Sequence, residues 1–415
     1  MKKYFLGSIY IYGSTIISTI AGVFRLFLIA KYLSPQLFRY WNIVLTIFGY
    51  FNFSHLGITD GLIKEVSSNK KLKNQNQLYN YSNNSILIIN IIINLLSSIL
   101  AIIFLKNSSI DMLVIIPPFF LLNIIYQYFI TSISILRLEE NFFNHGLVSM
   151  APNLISLTIT VFLFSFNILT IENLLSAFLV SYFISFLAGF FLGSWKINFN
   201  YDLKHAFKFL KIGFPIISSA FIFNFLLSLD RWVVLNYFGS YKLGEYSFPQ
   251  NISRVALLAG TSMSYVFYTK FLKEYSSNST LKNDKQFVES LKILSLITLS
   301  LIIVTYYAYP IFVGLFFEKY SSSVSYMGPF LVSVYFLSIY SLIANFFVAI
   351  DKIKIIILSI IPIFIIDLIF QILLASYFGN VILIIIIRSI SIFLITAFLL
   401  AYIFNYFFAS KQILK

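Results

Sequence analysis

A chain of 415 residues that is 59% hydrophobic, only 11% charged and of mean hydropathy +0.89 carries more apolar side chain than a water-soluble domain can hide. Zero cysteines exclude thiolate metal sites, catalytic thiols and disulfides, and three histidines argue against a zinc or haem centre. The net charge of +14 would suggest a nucleic-acid partner in a soluble protein, but here the lysines fall in short loops between apolar segments. No nucleic acid is expected, and the charge reads as a topology signal.

The N-terminal MKKYF looks like the charged start of a signal peptide, yet the apolar run behind it is too long and lacks a small-residue cleavage site. It reads as the first span. A span needs about 20 mostly apolar residues, which places segments near 8–32, 41–62, 85–105, 112–136, 147–169, 174–195, 213–237, 247–269, 291–314, 326–350, 355–377 and 381–404. The expectation is an all-α polytopic membrane protein of about twelve transmembrane helices.

Basic residues of alternate loops give the orientation. Lys2, Lys3, Lys64, Lys70, Lys71, Lys73, Arg137, Lys196, Lys204, Lys208, Lys211, Lys270, Lys273, Lys282, Lys285, Lys292, Lys352, Lys354, Lys411 and Lys415 fall on one side. Only Lys31, Arg39, Lys106, Lys242 and Lys319 fall on the other. Both termini and the longest breaks, near 64–84, 196–212 and 270–290, are therefore assigned to the cytoplasm, and the outward loops are short turns.

Two of those turns resemble each other. LIAKYLSPQLFRYW around Lys31 aligns with VVLNYFGSYKLGEY around Asn236 at an offset of about 205 residues, half the chain, as expected of a two-fold repeat. Two six-helix bundles follow, residues 1–200 and 201–415. Pro152, Pro215, Pro310 and Pro362 lie within apolar segments, where a missing N–H kinks a helix.

An ionisable group within a span costs about 2.5 to 3.5 kcal/mol and needs a cavity or a partner. The chain keeps Arg25 in span 1, His55 and Asp60 in span 2, Asp230 and Arg231 in span 7, Arg254 in span 8, Asp367 in span 11 and Arg388 in span 12. Ser14, Ser18, Gly22 and Arg25 share one helical face, as do Asn224, Ser228 and Arg231, and Asn52, His55 and Thr59. Four permanent cations suit an anion, and the planar guanidinium fork matches phosphate. Arg25, Arg231, Arg254 and Arg388 are thus candidate substrate-binding cations.

Structural alternatives stand beside each. Arg25 and Arg254 could snorkel to headgroups, and Arg231 could pair with Asp230. His55 could be a hydrogen-bonded core residue rather than a proton carrier, and Asp60 lies near enough to the cytoplasm to be solvated. Asp367, one turn before Gln371, could take a coupling ion, H+ or Na+, or pair with Arg388. No cofactor and no metal site are expected.

Two stretches resemble a known family. FRLFLIAKYLSPQLFRYWNIVLTIFGYFNFSHLGITDGLIKEV is similar to the N-terminal signature of the polysaccharide-transport branch of the multidrug/oligosaccharidyl-lipid/polysaccharide exporters, which includes the O-antigen flippases. FLKIGFPIISSAFIFNFLLSLDRWVVLNYFGSYKLGEYSFPQNISR resembles the start of that family's second half, with Phe214-Pro215, Asp230-Arg231 and Gly244 to Ser247 at the matching places. Ser34, Lys31, Lys64 and Glu245 depart from the usual pattern.

The resemblance implies facing bundles, a cavity lined chiefly by spans 1, 2, 7 and 8, and alternating access. It implies translocation of an undecaprenyl-pyrophosphate-linked oligosaccharide across the inner (cytoplasmic) membrane, with no covalent chemistry and hence no enzyme. Polymerase and chain-length proteins of the same pathway would be partners. A cation or drug antiporter should carry acidic residues where span 1 carries Arg25, and a polymerase or ligase should have a large external loop.

Overall fold

Lipid offers no partner to a free N–H or C=O, so a chain this apolar must satisfy its backbone within helices. The computed structural model describes residues 2–68, 75–105, 112–193, 202–275, 283–350 and 352–412. Lys70, Lys71, Lys73, Lys106, Lys196, Lys282 and Lys415 of the topology count lie outside the described residues. The elements are α1 (Lys2–Tyr32), α2 (Pro35–Phe51), α3 (Ile58–Ser68), α4 (Gln75–Leu105), α5 (Met112–Leu138), α6 (Phe142–Ser165), α7 (Ile171–Leu192), α8 (Leu203–Tyr275), α9 (Asn283–Phe316), a 3₁₀ turn (Glu318–Ser323), α10 (Val324–Ala349), α11 (Ile353–Phe378) and α12 (Val381–Gln412).

Among the described residues eight helices are long and apolar enough to cross a bilayer, nine if Leu203–Pro215 and Ala220–Gly239 form one bent span. The protein is a multi-pass membrane protein. Large apolar side chains such as Leu296, Val304, Ile311 and Leu315 on α9 are left exposed, as a lipid-facing surface requires.

Predicted span 2 is not continuous. The chain leaves the helix after Phe51 and resumes at Ile58, with Leu56 at φ 48° and Gly57 at φ 91° between. Asn52, His55 and Thr59 therefore do not form one helical face, contrary to the expectation from their spacing. The cause is a close backbone crossing: a Cβ on Gly57 would lie 2.4 Å from the carbonyl carbon of Gly213, and one on Gly213 would lie 1.8 Å from the Gly57 oxygen. The Phe51 carbonyl freed by the break accepts from Gln127 of α5, and Ser54 donates to the same oxygen at 2.9 Å.

The turn between predicted spans 7 and 8 is made inside α8 by Gly239 alone, at φ 76° and ψ −174°. That region is open to glycine and costly to any side chain. Glu245, buried beyond it, accepts from Lys242 at 2.8 Å and from Ser322, which ties this turn to the 3₁₀ turn. The hydrogen bond to Glu245 holds the Lys242 ammonium above its usual range. In the first half the equivalent turn uses another device, Ser34 capping α2 by accepting from the Leu37 N–H at 3.3 Å.

The chain divides into two compact units, Met1–Phe221 and Ile222–Lys415. In the first, α1 packs on α6, and α7 packs on both α5 and α6, around Phe51, Tyr126, Phe129, Leu136 and Val148. The start of α8 belongs here, because Phe209 packs with Ile58, Leu62 and Tyr79. In the second, α10 packs on α9 and α12, and α11 on α12, over a core holding Phe271, Phe287, Phe346 and Leu399.

Candidate functional site

In the second unit the charged residues of α8 and α12 converge on one carboxylate. Asp230 is fully buried, and its Oδ2 accepts from Arg388 of α12 and from the Tyr246 hydroxyl, with Gln250 Nε2 donating at 3.2 Å. The partner of Arg388 is thus Asp230, not Asp367. Arg231 follows Asp230 directly, and its backbone N–H donates to Oδ1 at 2.9 Å. Its guanidinium turns away to Gln250 and to Asn251, the latter at 3.3 Å.

This arrangement follows from helical geometry. Tyr246, Gln250 and Arg254 recur every four residues and so lie along one face of the second half of α8. The first two reach Asp230. Arg254 lies within electrostatic reach of Arg231, Arg388, Asp230 and Tyr246, is exposed, and among the described residues takes part in no hydrogen bond or ion pair. Three guanidiniums therefore lie near one carboxylate, of which Arg388 binds it directly, and Arg254 is left with its donors free.

Asp367 of α11 is also fully buried. Ser391 Oγ donates to its Oδ1 at 2.6 Å and Gln371 Nε2 to its Oδ2 at 2.7 Å. It lies within electrostatic reach of Asp230 and Arg388 without contacting either. Gln371 Oε1 is buried without a partner.

In the first unit the three ionisable groups predicted within spans, Arg25, His55 and Asp60, stand apart. The face Ser14, Ser18, Gly22 and Arg25 of α1 is used in helix packing. Ser149 donates to Ser14 at 3.4 Å, Asn153 to Ser18 at 2.7 Å, and Tyr32 to the Asn167 carbonyl at 2.8 Å, each pair 135 residues apart. A constant difference in number means that α1 and α6 run parallel. Arg25 closes the row by donating to Ser156, with its guanidinium 4.4 Å from the Phe178 ring centroid.

His55 lies buried in the break of span 2, where its Nδ1 accepts from the Gly57 N–H at 3.0 Å. Asp60 stands in the first turn of α3, within electrostatic reach of Arg137, with Oδ2 buried and unpartnered. No contact joins Arg25, His55 and Asp60 to one another. Sequence reasoning missed Tyr246, Gln250, Asn251, Asn153 and Ser156, which are uncharged. Their spacing, four residues between Tyr246 and Gln250 and three between Asn153 and Ser156, was the available signal.

The family described as "Polysaccharide biosynthesis protein" matches residues 6–268. No curated protein matches the chain. Among solved structures it is similar to the lipid II flippase MurJ in an inward closed conformation, at 19% identity over 96% of this chain and 87% of that one, with a TM-score of 0.75. It is also similar to an inward-facing multidrug resistance MATE family transporter of the MOP superfamily, at 12% identity over 95% and 96% of the two chains and a TM-score of 0.80. A MOP superfamily transporter from Pyrococcus furiosus is 12% identical over 95% and 94%, with a TM-score of 0.66. Identities this low speak for a shared fold.

Proposed function

The chain belongs to the polysaccharide biosynthesis protein family, and from that premise we propose that it is a flippase moving a lipid-linked oligosaccharide between leaflets by alternating access. The substrate is an undecaprenyl-pyrophosphate-linked repeat unit, of an O-antigen or a similar polysaccharide. It passes from the cytoplasmic to the periplasmic leaflet of the inner membrane. The likeness to the lipid II flippase supports a carrier of this kind.

The observation that carries the reading is Arg254, an exposed cation beside two guanidiniums already held by the protein. Gln250 and Asn251 fix Arg231, and Asp230 fixes Arg388, so the positive field is set before the ligand arrives. Arg254 keeps its planar fork for two phosphate oxygens. Binding and release need no bond to break. We place a coupling ion, H+ or Na+, at Asp367, whose carboxylate is held by Ser391 and Gln371 next to the arginine cluster.

Deleting the gene and following the lipid-linked repeat unit by leaflet tests the function. Accumulation on the cytoplasmic leaflet is expected. Unpolymerised units arriving on the outer leaflet would overturn the reading, because the missing step would then be polymerisation.

A further inference from the structure

The first stretch of α8, Leu203–Pro215, is followed by Ala220–Gly239 after a break of four residues. Its N-terminus is capped by Asp202, whose Oδ1 accepts from the Lys204 N–H at 2.8 Å while Oδ2 meets His205. Those contacts, the His205 ring first, hold the Asp202 carboxyl below its usual range. One face, with Ala206, Phe209 and Gly213, is buried in the first unit.

The opposite face is divided along its length. Leu203, Phe207 and Phe214 are 57%, 68% and 53% exposed, and at 100° per residue they lie within about 40° of one another. Lys211, Lys204 and Lys208 occupy the next 60° or so, all exposed. Lys208 pairs with Glu65 at 2.7 Å, and Asp202 is engaged by His205. Among the described residues no ion pair holds Lys204 or Lys211. Two bare phenylalanines forbid water, and the lysines forbid the hydrocarbon interior, so this face belongs at the boundary between them.

We propose that Leu203–Pro215 is an interfacial helix that binds anionic phospholipid, phosphatidylglycerol in kind, on the side that the lysine count assigns to the cytoplasm. Leu203, Phe207 and Phe214 enter the acyl boundary, and Lys204 and Lys211 take headgroup phosphates. Charge complementarity selects the occupant: a zwitterionic headgroup brings its own ammonium against these lysines, whereas an anionic one does not.

Native mass spectrometry tests this on the full chain released from micelles containing equal phosphatidylglycerol and phosphatidylethanolamine. The wild type should retain phosphatidylglycerol in excess. Lys204→Gln with Lys211→Gln should lower that ratio about fivefold or more, while Lys204→Arg with Lys211→Arg, and the control Lys292→Gln with Lys354→Gln, should keep it. An unchanged ratio, an equal fall in the control, or a fall in the arginine pair overturns the proposal. So does a changed dimer fraction with lipid unaffected, which would seat a second copy on this face. Should the glutamine pair reduce folded protein, the wild-type ratio must fall as ammonium acetate is raised, and a ratio indifferent to salt overturns it.

Discussion

Arg388 and Asp230 form a buried ion pair between residues 158 positions apart, 4% and 0% exposed. Tyr246 and Gln250 complete the shell around the carboxylate. Truncating one partner of such a pair strands the other charge, which costs about 3 to 5 kcal/mol. Asp230→Ala and Arg388→Ala should each lower stability by that order in thermal unfolding in detergent. The double variant should cost less than the sum by about 1 to 3 kcal/mol, and additivity within about 0.5 kcal/mol would show the two to be uncoupled.

Arg254 should behave in the opposite way. Having no protein partner, it should be replaced by Ala with a stability change within about 0.5 kcal/mol. Transport of the lipid-linked unit should fall about tenfold to a hundredfold, the worth of a charge-assisted contact. Lys should restore it only in part, for lack of the fork. Full transport by Arg254→Ala at normal membrane abundance would remove this residue from the site.

The crossing of Gly57 and Gly213 has no room for a methyl group. Gly57→Ala adds backbone strain at φ 91° to the clash, for a loss of about 2 to 4 kcal/mol. Gly213→Ala is free of that strain but meets the closer approach, 1.8 Å to the Gly57 oxygen, and should cost a comparable amount. Membrane abundance and unfolding temperature of the two variants provide the comparison, and wild-type values for Gly57→Ala would contradict the break in span 2.

Where α6 packs on α1, Asn153→Leu deletes the bond to Ser18 and should cost about 0.6 to 1.7 kcal/mol, the range for one interhelical bond in a membrane. Arg25→Lys keeps the charge but not the planar face over Phe178. Transport by that variant, normalised to folded protein, should fall between those of wild type and Arg25→Ala.

Hydropathy alone determined that this chain crosses a bilayer many times, and the same arithmetic singled out Arg25, Asp230, Arg231, Arg254, Asp367 and Arg388 as the residues needing an explanation. Both inferences are local: a run of some twenty apolar residues, or one charge within it, shows itself without knowledge of any neighbour. The motifs at Lys31 and Asp230 were legible for the same reason.

Pairing was not local. Asp230 stands next to Arg231 in the chain, yet adjacent residues on a helix point about 100° apart, and the neighbour in sequence supplies its backbone N–H while its guanidinium reaches Gln250 and Asn251. The partner came from α12, whose register against α8 no periodicity encodes. The break of span 2 likewise depends on Gly213, 156 positions beyond Gly57, and the polar face of α1 depends on Asn153 and Ser156 of α6. Tertiary packing thereby decided which cations are spent within the protein and that Arg254 is not, because only the folded unit sets the distance between side chains on helices remote in sequence.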